Sequence, residues 1–379
     1  MNGKTPPSIV SISYGECEAE NGAAANAAFN SVYQQAVAEG ISVFVAAGDE
    51  GAASCDAGAN GATHGIGVSG FASTSYNVAV GGTDFGDTAA GTNSSYWSST
   101  NSANYVSALS YIPEVPWNDS CASSLIAGFF GFTTVYGNTG FCASRTAQAY
   151  GLLEVVAGSG GPSGCAKGSP ASNGVVGGTC SGYSKPSWQS GVAGIHSDGV
   201  RDIPDVSLFA GAGLWGHYYV MCWSDVRNGG APCTGAPSTW GGAGGTSFGA
   251  PIMAGIQALV NQRQERAQGN PNYVYYKLAA NSANICNSSG TIPSGCIFHN
   301  VTKADNDVNC GGSENCYGAS SSGRGSGFGN SSGSSLNGAL STSDQSFLPA
   351  YTASTGWNFA SGLGTTNAYN LVMNWSFGQ

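Results

Sequence analysis

Ser8-Ile9-Val10-Ser11-Ile12-Ser13-Tyr14-Gly15 reads as a buried strand closed by a glycine, and the residues that follow it decide the fold. Ala23 to Glu39 predicts a helix with Phe29, Val32, Tyr33 and Ala36 on one face, Gly40 stops it, and Ile41 to Ala47 predicts a second buried strand. Strand, helix, strand in that order implies a right-handed parallel crossover, and ligands of such sheets gather at the carboxyl ends of the strands. Gly48-Asp49-Glu50-Gly51 lies at that end. Tyr76 to Gly81 adds a further short strand before Gly82 and Thr83. The expectation is an α/β chain built on a doubly wound parallel sheet, covered on both faces.

A second stretch carries the chemistry. Gly244-Gly245-Thr246-Ser247-Phe248-Gly249-Ala250-Pro251 runs into the apolar segment Ile252 to Val260 and places a serine where a helix begins. The glycines allow a tight turn, Pro251 is expected in the first helical turn where its missing N–H costs nothing, and Ile252, Ile256, Leu259 and Val260 recur at helical spacing. Ser247 is thus either a nucleophile at the positive end of a buried helix or an ordinary helix cap.

The order of segments favours the first. Val10 to Gly15, Ala46-Ala47-Gly48-Asp49-Glu50-Gly51, Val78-Ala79-Val80-Gly81-Gly82-Thr83 and Gly245-Thr246-Ser247 resemble, in that order, the subtilisin-like peptidases. Subtilisins proper have asparagine in the strand-end turn. Asp49 in its place resembles the sedolisins, the serine-carboxyl peptidases, in particular bacterial members of the pro-kumamolisin type. Pro186-Ser187-Trp188-Gln189, Arg201 to Ser207, Gly356-Trp357-Asn358 and Gly362-Leu363-Gly364 extend the resemblance, which runs from about Ile9 to Val372.

The resemblance implies an endopeptidase in which Ser247 attacks the peptide carbonyl and Asp49 helps to hold the oxyanion, while Ser13, Tyr14 and Gly15 line the substrate strand. A carboxylate would repel an oxyanion and a protonated carboxyl donates to it, so Asp49 serves only when neutral, and the activity should favour acid. The family's general base, a glutamate with an aspartate one helical turn away, precedes the strand that here starts near Ile9. The expectation is therefore one peptidase domain over residues 1–379 that lacks its N-terminal part, its base supplied by an upstream segment or propeptide of the same precursor. Glu16, Glu18 and Glu20 follow the substrate strand, where they read either as substitute bases or as a solvated acidic helix start. His64 follows the oxyanion turn, and His196, His217 and His299 stand in loop-like sequence without a paired aspartate pattern, so a Ser-His-Asp triad is not expected. The rival to an enzyme is a noncatalytic peptide-binding remnant.

The resemblance also implies a calcium site. Its ligands would be the side chain of residue 300, the carbonyls of Val301, Ser354 and Gly356, and the side chain of residue 358. Both family carboxylates are amides here, Asn300 and Asn358, so calcium should bind weakly or not at all unless Asp305 or Asp307 compensates.

Composition suits an acid setting. Only 8% of residues are charged, with 21 acidic side chains against 11 basic ones and a net charge of −10, so few ion pairs are lost on protonation. No Lys/Arg run marks a nucleic-acid partner, and no apolar run is long enough to span a membrane. The 12 cysteines fall in near pairs, 121/142, 165/180, 222/233, 286/296 and 310/316, with 17/55 left over, which predicts disulfides and a secreted protein. Residues 84–160 read as a disulfide-held surface insertion and 303–345 as a flexible one, Ser320 to Ser343 being low in complexity. Asn118 and Asn287 stand in glycosylation sequons.

Overall fold

The computed structural model describes residues 6–237, 240–312, 315–318 and 337–378. Strand β1 (Ile9–Ile12), helix α1 (Glu18–Ala38) and strand β2 (Ser42–Ala46) form the expected crossover, with β1 parallel to β2 in the register Ile9 to Ser42. Then come β3 (Val78–Phe85), β4 (Glu114–Pro116), β5 (Val206–Phe209), the long helix α2 (Thr246–Gln264) and α3 (Asn272–Ala279). The main sheet is completed by β6 (Ile285–Asn287), β7 (Phe298–Asn300) and β8 (Thr365–Thr366), and α4 (Ala368–Asn374) follows.

The strand order is β1-β2-β3-β5-β8-β7-β6, with β4 attached to β3. The expectation of a wholly parallel sheet is corrected at two places: β7 meets β8 antiparallel, and β4 pairs antiparallel with β3. Alternation along the central strands divides the core. Phe44, Ala46, Val78 and Val80 face Met253, Ile256 and Val260 of α2, whereas Val43, Val45, Ala47 and Ala79 face Tyr33 and Ala36 of α1.

Both helices bury a face slightly different from the one periodicity suggested. Val32 is 45% exposed, and Asn26 instead lies in the interface, its side-chain amide donating to the carbonyls of Glu18 and Cys165. In α2 the buried stripe is Gly249, Ala250, Met253, Ile256, Gln257 and Val260, leaving Ile252 39% and Leu259 52% exposed.

The cysteines pair as their spacing suggested: 17–55, 121–142, 165–180, 222–233, 286–296 and 310–316. The segment after β3 is more than a surface excursion. It contributes β4 to the sheet and builds its own small core from Ile126, Phe141, Leu152 and the Cys121–Cys142 disulfide. Within 303–345, Asn309–Cys310, Gly338–Leu340 and Asn315–Cys316 form a buried three-stranded sheet, and residues 319–336, which carry most of the low-complexity stretch, lie outside the described residues. Asn118 is buried and bonded to the Asp305 and Asp307 carbonyls, so its sequon is closed off in the folded chain. No helix among the described residues is long and apolar enough to cross a membrane.

Candidate active site

Ser13, Tyr14, Gly15, Asp49 and Ser247 come together from distant parts of the sequence to line one cleft of about 230 Å³ at the carboxyl ends of β1 and β2. Thr246, Glu16 and Glu50 also line it.

Ser247 is the second residue of α2, and Gly245, with φ of 108°, makes the turn that delivers it. Two constraints make that glycine necessary. A side chain is strained at this φ, and a Cβ at Gly245 would stand 2.7 Å from Asp49 Oδ2. The Gly245 N–H bonds to the Ala210 carbonyl just beyond β5, which ties the turn to the sheet. The Ser247 N–H has no carbonyl partner among the described residues, as expected for a first-turn donor.

Pro251 sits one turn deeper than expected. As the sixth residue of α2 it cannot donate to the carbonyl of Ser247 four positions back. That carbonyl takes the Ser13 hydroxyl instead, at 2.7 Å. The proline therefore frees a carbonyl that couples the end of β1 to the serine.

Asp49 leaves β2 in a turn held from two sides. Its carbonyl accepts from the Ala157 N–H at 2.9 Å, and the Ser159 N–H bonds to the Gly48 carbonyl at 2.9 Å. The carboxyl is divided by its surroundings. Oδ1 accepts from the Thr246 N–H at 2.8 Å and from the Thr246 hydroxyl at 2.6 Å. Oδ2 has no hydrogen bond from any described residue and faces Gly245. Burial raises the Asp49 pKa above the ordinary aspartate value, and the two Thr246 bonds offset part of that rise. Since Oδ1 is committed as an acceptor, a proton on this group belongs on Oδ2, where it can be donated into the cleft.

Thr246 and Glu50 did not stand out in the sequence as functional, although both flank the residues that did. Glu50 Oε2 accepts from the Asp49 N–H at 2.9 Å, and Ser159 Oγ accepts from the Glu50 N–H at 3.0 Å. Burial, with the charge of Asp49 next in importance, pushes the Glu50 carboxyl up to about 7.

Other readings need revision. Glu18 is no solvated helix-start residue: it is 1% exposed and accepts from Ser163 Oγ and the N–H groups of Gly164 and Cys165, pinning that loop. Glu20 is half-buried, with a pKa raised by burial and by its neighbour Glu16. His217 has the aspartate partners the sequence concealed. Its Nδ1 lies 3.3 Å from Asp84 and its Nε2 3.3 Å from Asp87, two groups brought together by the end of β3 and the loop after β5. Burial acts against the His217 charge, and the neighbouring carboxylates, Asp84 ahead of Asp87, outweigh it, so its pKa is raised. His64 Nδ1 lies 2.7 Å from Asp56, and His299 belongs to β7, with burial lowering its pKa to about 4. His196 stacks on Phe359. No histidine or carboxylate among the described residues hydrogen bonds to the Ser247 hydroxyl.

The residues matched to calcium ligands also converge, far from the cleft in sequence. Asn300 at the end of β7 and Asn358 in the loop before β8 are 2% and 3% exposed, and their side chains bond the backbone of Val301, Ser354 and Gly356. Asp305 and Asp307 do not join them. Asp305 is occupied by Ser124 and Asn118, and Asp307 bonds the N–H of Val308.

No family model matches the chain, and no curated protein does. Among solved structures it is similar to Pseudomonas sedolisin, a serine-carboxyl proteinase complexed with two molecules of pseudo-iodotyrostatin, with a TM-score of 0.54 and 20% identity. The match covers 98% of this chain and 66% of that one, so the chain spans just under two thirds of that protein's length. The fold is sedolisin-like.

Proposed function

On this sedolisin-like fold, we propose that the chain carries the nucleophile and oxyanion site of a serine-type endopeptidase that works in acid. Ser247 Oγ attacks the carbonyl carbon of a peptide bond while a base takes its proton. The carbonyl oxygen becomes an oxyanion, held by the Ser247 N–H and by a proton on Asp49 Oδ2. Collapse of the tetrahedral species expels the amine, which receives the proton from the base, and water then hydrolyses the acyl-enzyme through the same base. The observation that carries the reading is the split Asp49 carboxyl, on a residue that lines the cleft with Ser247: one oxygen accepts twice from Thr246, and the other has no hydrogen bond among the described residues and lies against Gly245.

Substrate is proposed to lie along Ser13-Tyr14-Gly15. These residues are exposed, β1 is the edge of the sheet, and their backbone groups have no backbone partner among the described residues, which suits pairing with an extended peptide. The base is proposed to come from an upstream segment of the same precursor. Support comes from the lack of any described base on Ser247 and from the half-exposed apolar edge of Ile9, Val10 and Ile12, flanked by the exposed Ile252 of α2. An uncovered apolar strand edge of this kind invites another segment. Six disulfides favour an oxidising, extracytoplasmic setting. A peptide-binding remnant is the second reading, favoured by the bare Ser247 hydroxyl.

Cleavage of an unfolded protein at a pH of about 3.5, near the ordinary aspartate pKa, tests the proposal, using the precursor as expressed and its Ser247→Ala variant. Cleavage lost in the variant supports a peptidase. Equal cleavage by both overturns it, and binding of peptide without any cleavage by the precursor favours the remnant.

A further inference from the structure

We infer that the side-chain amide of Asn358 takes the place of the calcium ion that the fold's resemblance implies, so that this region is fastened without metal. The two N–H donors of Asn358 Nδ2 reach the carbonyls of Ser354 at 2.9 Å and Val301 at 3.1 Å, and the Gly356 carbonyl, which the Asn300 amide takes, stands 3.3 Å from the same nitrogen. Those three carbonyls are the backbone ligands assigned to calcium by the resemblance. They converge here on a neutral N–H donor, not on an open position. The orientation of the amide is fixed from its other end, because Asn358 Oδ1 accepts from the Ser361 N–H at 3.0 Å and the Ser361 hydroxyl at 3.1 Å. Turning it over would set an oxygen against three carbonyl oxygens and a nitrogen against two donors.

Asn300 is committed in the same way. Its Nδ2 donates to the Gly356 carbonyl at 2.7 Å, and its Oδ1 accepts from the Gly356 N–H at 2.9 Å. That reciprocal pair needs both halves of an amide, and a carboxylate could make only one of the two bonds. Both substitutions thus act together: two negative charges are removed and the donors that carbonyls would otherwise seek from a cation are supplied. A calcium ion needs six to eight oxygen ligands at about 2.3–2.6 Å, with carboxylates to offset its charge. Neither condition is met around Asn358, and among the described residues no cluster of three or more acidic, His or Cys side chains could hold a metal. The clasp joins the end of β7 to the loop that enters β8, so it holds the far side of the main sheet.

Thermal unfolding of the chain at neutral pH, in excess chelator and in excess calcium, tests the inference. The two midpoints should coincide, whereas a folded-state site at about 100-fold excess of calcium over its Kd would raise the midpoint by several degrees. Asn358→Asp, ionised at that pH, should unfold several degrees lower in chelator and regain part of the loss in calcium. A calcium-induced rise in the unsubstituted chain overturns the inference, as does an Asn358→Asp chain equally stable in chelator. Should that variant fail to fold, Asn300→Asp makes the same test more mildly, through a single carboxylate oxygen set against the Gly356 carbonyl.

Discussion

A single carboxyl group decides how the cleft can act. Asp49 shares a turn with a glycine and a second acid, a context in which an aspartate most often caps or turns a chain. Sequence order singled it out, but which oxygen can carry the proposed proton depends on Thr246, whose N–H and hydroxyl both go to Oδ1, while Oδ2 has no hydrogen bond among the described residues. Removing the hydroxyl with Thr246→Val takes away a bond that favours the charged form, so the Asp49 pKa should rise further. The alkaline limit of peptide binding or cleavage should move up with it in a pH profile, and an unmoved limit would show that Asp49 is not the group in control. Gly245→Ala is expected to impair the site more severely, at least about tenfold in cleavage, because strain of the order of 1–3 kcal/mol and a clash with Asp49 Oδ2 fall on one residue. Circular dichroism would separate loss of the site from loss of the fold.

Elements were legible where their pattern was strong and local. The β1-α1-β2 crossover and the start of α2 lie where their residues suggested, but β1, read as a buried strand from its apolar residues, is the half-exposed edge of the sheet, and only β2 is buried throughout. Which face each helix buries was less clear. Ile252 and Leu259 have the right spacing and chemistry, yet α2 turns Met253, Ile256 and Val260 to the sheet, because small residues at Gly249 and Ala250 let the strands approach on that side. Long-range partners left no trace at all: His217 meets Asp84 and Asp87 only once the loop after β5 has folded back. Pro251 gives the most specific test at this scale. Ser13→Ala removes the donor to the Ser247 carbonyl, and α2 cannot replace it through a proline. Stability should fall by only about 0.5–1.5 kcal/mol in denaturant unfolding, the net worth of a hydrogen bond. Ser13→Ala combined with Pro251→Ala should recover part of the loss, since the helix then regains its own donor. No recovery would mean that the Ser13 contact is incidental.

Across the whole molecule, burial sets the response to pH. Glu18, Glu114, Asp305 and Asp307 are buried and titrate above their ordinary values because of desolvation, and the Glu50 and Asp119 carboxyls are pushed up to about 7. A group with a raised folded-state pKa binds its proton more tightly in the fold, so the stability it lends is complete below its unfolded pKa and disappears as pH rises through the folded one. His217 acts in the same direction, and His299, lowered to about 4, acts against it as pH falls below the ordinary histidine value. The carboxyls outnumber it, so the thermal midpoint should be higher at pH 4 than at pH 7.5 by several degrees, and a higher midpoint at pH 7.5 would refute this assignment of the buried protons. Composition alone pointed to tolerance of acid through a scarcity of charge; the fold adds buried carboxyls that favour it. The same acid form is the one the proposed mechanism uses. The most direct measurement is the affinity of the chain for a peptide aldehyde, which forms a hemiacetal with a serine hydroxyl and places its oxygen in the oxyanion site, measured by calorimetry from pH 3 to pH 8. Affinity should fall as pH rises through the raised Asp49 pKa, vanish in Ser247→Ala, and lose its pH dependence in Asp49→Asn, which donates at every pH. Binding that is indifferent to pH, or that survives loss of Ser247, would contradict a protonated Asp49 serving that serine.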